Sequence, residues 1–216
     1  MPLLEVNDLV ARFAVRGGDL TALRGISFSL DKGERLGLVG ESGAGKSVAA
    51  FSILNLIARP GFIASGQILF EGKDLAAMSE RELRKIRGNR IAMIFQDPMM
   101  TLNPVLTIGT QMVEALKAHR RISTRVARDI ALTKLRKVQI PSPDKRLDQY
   151  PHELSGGMRQ RVIIAIALLL DPEIIIADEP TTALDVTIQA EIMALLLELC
   201  EQDNVALMLI THDLGV

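Results

Sequence analysis

The sequence predicts an α/β fold built on a mainly parallel sheet with helices on both faces. Three observations predict it. Short apolar, strand-like runs alternate with helical stretches along most of the chain. A glycine-rich loop, residues 40–47, lies between one apolar run and a helical stretch. A second, wholly apolar run at 174–177 ends on two carboxylates, Asp178 and Glu179.

The first forty residues read as strands. Residues 3–10 and 26–30 are strands separated by a Gly17-Gly18-Asp19 turn, and Asp31-Lys32-Gly33-Glu34 forms a second turn. Residues 35–39 form a short apolar strand that enters the glycine loop. A helix is expected from Lys46 to about Ala58, stopped by Arg59-Pro60-Gly61. Residues 66–70 read as an edge strand with Glu71-Gly72-Lys73 as its turn. Ser79-Glu80-Arg81-Glu82 is a capping box that opens a short helix to about Arg87, and 90–95 alternates into a buried strand. The charged stretch 81–90 reads as a solvated helix face.

Residues 107–138 are helical in period. Ile108, Met112, Val113 and Leu116 line one face, and Val126, Ile130, Leu135 and Val138 another. Pro141-Ser142-Pro143 breaks the pattern. Helices over 156–170 and 187–200 flank the strand at 174–177, and 205–210 is the last strand. No repeat or low-complexity tract interrupts this order. The helix-rich block 107–170 reads as a subdomain inserted into the sheet.

Composition narrows the function classes. The 216 residues carry 25 basic and 26 acidic side chains, a net charge of −1. That balance argues against broad, sequence-independent nucleic-acid binding, which needs a basic surface. Cys200 is the only cysteine, so neither an intrachain disulfide nor a zinc or iron–sulfur ligand set can form; a reducing, cytoplasmic setting is expected. Its place in the amphipathic stretch 187–200 reads as core packing. The opening Met1-Pro2-Leu3-Leu4-Glu5 has no signal-peptide pattern. The longest unbroken apolar run, 162–170, is about half of what a bilayer crossing needs, so any work at a membrane requires another chain to span it.

Three motifs carry chemistry. Gly40-Glu41-Ser42-Gly43-Ala44-Gly45-Lys46-Ser47 fits G-x-x-x-x-G-K-[ST]. Its glycines let backbone N–H groups converge on phosphate oxygens, and the following helix adds its positive end. Lys46 would reach the β- and γ-phosphates of ATP, and Ser47 would ligate Mg²⁺. Asp178 would hold Mg²⁺ directly or through water, and Glu179 would act as general base on the attacking water. Alone, these two carboxylates read equally as the start of a turn; beside the glycine loop they read as catalytic. In Leu154-Ser155-Gly156-Gly157-Met158, Ser155 is an N-cap and two glycines expose donors at a helix start. That is either an ordinary capped helix or a second anion cradle, and a second cradle implies two copies sharing nucleotide across an interface.

Together these motifs resemble the nucleotide-binding subunits of ABC transporters. The glycine loop resembles that family's Walker A motif, and the strand ending in Asp178-Glu179 its Walker B. Leu154–Met158 resembles the signature, with Met158 in the last place. Gln96 in Phe95-Gln96-Asp97-Pro98 matches the Q-loop, Ala183-Leu184-Asp185 the D-loop, and His212 in Thr211-His212-Asp213 the switch histidine. The resemblance runs from about Leu3 to the last residue. Leu102-Asn103-Pro104, Tyr150-Pro151-His152-Glu153 and Pro180-Thr181-Thr182 narrow it to the dipeptide/oligopeptide and nickel importer branch, where Met158 is usual.

The resemblance implies a P-loop NTPase, RecA-like core with an N-terminal antiparallel β subdomain and an inserted helical subdomain. Residues 1–104 and 172–216 would form the core, and 105–171 the helical part. It implies ATP and Mg²⁺ between two subunits joined head to tail, with Ser155 and Gly157 on the γ-phosphate of the opposite site. Gln96 would touch Mg²⁺ and signal to the transmembrane partner, His212 would hold the γ-phosphate and water beside Glu179, and Asp185 would link the two sites. Phe13 is the candidate for stacking adenine, with a core role as the alternative.

The implied partners are a second nucleotide-binding subunit, identical or not, two permease subunits and an extracytoplasmic solute-binding protein, with no nucleic acid. The expected place is the cytoplasmic face of the bacterial inner membrane, as a peripheral protein. Peptides are the first solute, nickel or another small solute the second. A non-transport ABC ATPase or an inactive remnant are the other classes; the short 96–155 interval and lone cysteine disfavour the former. The chain ends four residues after His212, where family members continue with further strands and helices. An isolated chain of this length is therefore expected to be unstable, through unpaired strand edges and uncovered apolar faces.

Overall fold

The computed structural model describes residues 2–97, 101–182 and 184–212. Of the motif residues, Pro98, Ala183 and Asp213 lie outside the described residues, as does the chain end at Val216.

Two sheets form the frame. The first is antiparallel: β1 (Leu4–Val15), β2 (Gly18–Leu30), β4 (Gly61–Phe70) and the two-residue β5 (Lys73–Asp74), in the order β2-β1-β4-β5. Simple alternation would put Val6 and Leu9 on opposite faces, yet both are buried. A bulge resolves this. Asp8 adopts φ 46° and the register shifts between Val6 and Leu9. The Asp8 N–H donates to Ser27 Oγ at 2.8 Å, and Gly66 opposite leaves room for the bulged backbone. Two more shifts follow: between Leu9 and Val10, leaving Gly25 of β2 as the extra residue, and between Ala11 and Arg12, leaving Ala22.

The second sheet is parallel: β3 (Arg35–Val39), β6 (Ile91–Ile94), β7 (Ile174–Asp178) and β8 (Ala206–Thr211), in the order β3-β8-β7-β6. Interior β7 is covered on both faces, which explains its unbroken apolar run. Ile174 and Ile176 pack with the antiparallel sheet, while Ile175 and Ala177 pack with the helical side. β6 and β8 divide in the same way, so the two cores meet across the parallel sheet.

The helices are α1 (Lys46–Ile53), α2 (Glu80–Ile86), α3 (Ile108–His119), α4 (Thr124–Lys137), α5 (Pro143–Arg146), α6 (Gly156–Ala167) and α7 (Val186–Gln202). The mixed α/β class and its mainly parallel core agree with the sequence expectation. Several details differ. β1, β2 and β4 are longer than the expected strands 3–10, 26–30 and 66–70, and β4 lies between β1 and β5 rather than at the sheet edge. Helix α1 stops at Ile53 rather than near Ala58: Asn55 turns to φ 50°, and Arg87 donates to the carbonyls of Leu54 and Asn55 at 2.7 and 2.9 Å. The stretch 107–138 is two helices. Arg120 is extended, and Ser123 caps α4 by accepting from the Val126 N–H. Helix α4 therefore buries Ala127, Ala131 and Leu135, and leaves Val126 exposed. The 156–170 helix ends at Ala167.

Arg90 ties the two sheets at one end. It pairs with Glu173 before β7 and with Glu71 after β4, and its guanidinium lies 4.4 Å from the Phe70 ring centre.

Candidate functional site

All four parallel strands deliver a candidate residue at their carboxyl ends. β3 leads into Gly40, β6 into Gln96, β7 ends on Asp178 before Glu179, and β8 leads to His212. This is the edge at which open α/β sheets bind ligands.

The loop between β3 and α1 bends through Gly43 at φ 83° and Gly45 at φ 88°. Gly45 is further confined: a Cβ there would stand 2.7 Å from the Ala22 carbonyl oxygen and 3.0 Å from Leu23 Cδ2. The bulge in β2 is thus pressed against the loop. Lys46 folds back over the loop and donates to the carbonyls of Gly40 and Glu41 at 2.7 and 2.8 Å. Ser42, Gly43, Gly45, Lys46, Ser47, Gln96 and Glu179 line a cavity of about 230 Å³, with Ala22 at its wall. A neighbouring cavity of about 470 Å³ is lined by Ser47, Phe51, Phe95, Gln96 and Asp178. Glu41 and Ala44 complete the loop through the Ala44 N–H bond to the Glu41 carbonyl at 3.2 Å.

The two carboxylates at the end of β7 differ. Asp178 is 3% exposed, and its Oδ1 has no hydrogen-bond partner. Burial pushes its pKa up from 3.8; a hydrogen bond with Ser47 opposes this, and the Glu179 charge adds to it. An orphaned buried carboxylate oxygen beside a serine hydroxyl is an electron-rich pair suited to a hard divalent cation.

Glu179 adopts φ 45°, a strained conformation for a non-glycine residue. Its carboxylate accepts from Gln96 Nε2 and Thr182 Oγ1, each at 2.9 Å, and faces His212 Nδ1 at 3.1 Å. Burial raises its pKa, but the bonds with Thr182 and His212 and the Lys46 charge together outweigh it. The group sits below its ordinary 4.5 and is ionised at neutral pH.

The structure therefore brings Lys46, Ser47, Gln96, Asp178, Glu179 and His212 together. It does not bring the second glycine cluster to them. Leu154 is buried in the helical core, Ser155 caps α6 by accepting from the Met158 N–H at 3.3 Å, and none of residues 154–158 lines either cavity. Gly156 and Gly157 instead turn to Leu184 and Ile188. Asp185 stands exposed just before α7. Phe13 is half-buried, opposite Leu20 and Gly61 with its ring against Gly61, and does not line the loop cavity. Two contributors were missed by the sequence reading. Thr182, three residues after Glu179, carried a readable turn signal. Ala22 carried none, because only the bulge aims it.

Comparison with known proteins identifies the family. The family described as ABC transporter matches residues 23–182. The chain is 54% identical over 215 residues to the oligopeptide transport ATP-binding protein OppD of Bacillus subtilis (strain 168), covering 99% of this chain and 60% of that protein. It is 53% identical over 217 residues to the dipeptide transport ATP-binding protein DppD of the same organism, covering 99% and 64%. The chain thus spans less than two thirds of the length of these relatives. Among solved structures, the dimeric ATP-binding cassette MJ0796 in a post-hydrolysis state bound to ADP and Pi superposes with a TM-score of 0.85 at 29% identity, over 98% of this chain and 89% of that one. With this family match over most of its length, set on a frame that carries a glycine loop and paired carboxylates, the chain belongs to the ABC transporter family.

Proposed function

We propose that the chain is the ATP-binding and ATP-hydrolysing subunit of a peptide importer. The observation that carries this is the ionised Glu179, held by Gln96, Thr182 and His212 against the wall of the glycine-loop cavity. A carboxylate kept below its ordinary pKa and fixed on three sides is placed to take a proton from a water at the γ-phosphate. The loop N–H groups and Lys46 bind the phosphates, and Lys46 exchanges its carbonyl partners for phosphate oxygens as ATP enters. Ser47, Asp178 and Gln96 would hold Mg²⁺, which would supply charge neutralisation at the phosphates. His212 keeps Glu179 oriented, and Phe13 offers its ring to the base.

Residues 154–158 serve the site of a second copy. That they line neither cavity of their own chain supports that reading, as does the dimeric state of the MJ0796 cassette. Asp185, exposed beside them, would lie at the same interface. Residues 105–171 would then move as a helical unit relative to a core formed by 1–104 and 172–216. No helix among the described residues is long and apolar enough to cross a membrane. Permease subunits would supply the span and an extracytoplasmic binding protein the peptide, with this chain peripheral at the cytoplasmic face.

The test is Mg²⁺-dependent ATP hydrolysis by the chain with its permeases in vesicles, alongside labelled-peptide uptake. Lys46→Ala and Glu179→Gln should each abolish both activities. Hydrolysis by Glu179→Gln equal to the parent would remove the catalytic assignment, and hydrolysis without peptide uptake would remove the solute.

A further inference from the structure

One buried polar side chain takes no part in the site above. Gln160, in the second turn of α6, is 1% exposed, and both Nε2 and Oε1 lack a hydrogen-bond partner. A buried amide with neither atom bonded is costly and rare in native structures. Its position gives the vacancy meaning. Gly156 and Gly157 precede it by one helical turn, so Gln160 lies on the face that those glycines present to Leu184 and Ile188. That face meets the turn between Glu179 and α7.

The same turn is held from α7. Gln189 of α7 donates through Nε2 to the carbonyls of Thr181 and Leu184, at 3.1 and 2.9 Å. The turn is also wired to the carboxylate, since Thr182 Oγ1 donates to Glu179 Oε2. A satisfied glutamine therefore holds this segment from α7, while an orphaned one lies on the face of α6 whose glycines meet it, and the segment reaches Glu179 directly. Such an arrangement has two discrete hydrogen-bonded states, one per glutamine.

We infer that Gln160 is a positioning residue. Its amide, unpartnered within the single chain, takes backbone groups of Thr181, Thr182 or Leu184 when two copies close on ATP. This rests on the two-copy reading proposed above and deepens it. The signature helix, which serves the partner's nucleotide, would thereby set the turn that fixes its own Glu179.

The test uses the full chain in a Glu179→Gln background, so that ATP persists. Thermal unfolding without nucleotide and ATP-induced association by sedimentation are measured for Gln160→Leu and Gln189→Leu. Gln160→Leu keeps the volume but deletes the orphaned amide. It should raise the nucleotide-free midpoint by about 2–4 °C, and weaken ATP-induced association about tenfold, as expected for losing one to two hydrogen bonds. Gln189→Leu should lower the nucleotide-free midpoint and leave association intact. A merely structural glutamine would not move the two readouts in opposite directions. A lower midpoint for Gln160→Leu would mean that the amide is already bonded in the free chain, and would overturn the inference. Unchanged association with Gln160→Leu, or an equal loss with Gln189→Leu, would overturn it as well. If the parent itself stays monomeric with ATP, the two-copy reading falls and takes this inference with it. If the parent dimerises and Gln160→Leu dimerises equally, only this inference falls.

Discussion

Replacing Asp178 with asparagine should make the nucleotide-free protein more stable and less able to use Mg²⁺. Asp178 is 3% exposed and one of its carboxylate oxygens is unbonded. Burying the incompletely bonded carboxylate costs more than burying the neutral amide that would replace it, by on the order of 1–3 kcal/mol. For a domain of this size each kcal/mol moves the midpoint by roughly 2–4 °C, so removing the charge should raise it by about 2–12 °C. The pH dependence has a definite sign. Burial raises the folded pKa above the ordinary 3.8, so the folded chain binds the proton more tightly than the unfolded one. The stability contributed by the protonated form is full below that value and is lost as pH rises through the folded pKa. Glu179 acts in the opposite sense: its stabilisation is present above 4.5 and fades as pH falls through its lowered value. The advantage of Asp178→Asn should therefore be large at pH 7.5 and vanish below about pH 4. Differential scanning calorimetry at the two pH values, with and without Mg²⁺-ATP, reads all of this. Mg²⁺-ATP should stabilise the parent more than the variant. A midpoint for Asp178→Asn at or below the parent's at pH 7.5 would refute the reasoning, because Asp178 would then be a satisfied structural carboxylate.

Two further substitutions probe the frame. Gly45→Ala should lower both the melting midpoint and ATP affinity more than Gly43→Ala, by calorimetry and nucleotide titration. Both positions have positive φ and share a strain of about 1–2 kcal/mol, but only at Gly45 would the methyl meet backbone, 2.7 Å from the Ala22 oxygen. Arg90→Met should destabilise by roughly 1–2 kcal/mol in urea unfolding, since it breaks two partly exposed ion pairs and a ring contact. That loss should shrink in 1 M salt; a salt-independent loss would assign Arg90's contribution to packing instead.

What was legible in the sequence was local. The strand entering the glycine loop, the run into Asp178-Glu179 and the Ser79 capping box each depend on residues within a few positions of one another, and each stands where expected. What was not legible depends on distant partners. Two of the three register shifts in the β1–β2 pair exist because Asp8 finds Ser27 and because β2 accommodates the extra Ala22, and no periodicity reveals either. The break between α3 and α4 has no proline or glycine; it is set by Ser123 capping α4 while Arg120 reaches across to the Leu170 carbonyl and Asp171. The same holds at the candidate site. Gln96 and His212 were readable as motif residues, but their joint hold on Glu179 spans separations of 83 and 33 positions. The orphaned Gln160 amide shows only when burial and hydrogen bonds are considered together.

The central claim is that the glycine loop of one copy and residues 154–158 of another make one catalytic site. Mixing two inactive proteins tests it most directly: one carries Lys46→Ala, the other Ser155→Arg, and ATP hydrolysis is measured for each alone and together. In a mixed pair, one site combines an intact Lys46 with an intact Ser155. The mixture should recover about a quarter of parental hydrolysis, because half of randomly paired symmetric dimers would hold one working site of two. Activity in the Ser155→Arg protein alone, or no recovery although mixed pairs form, would contradict it.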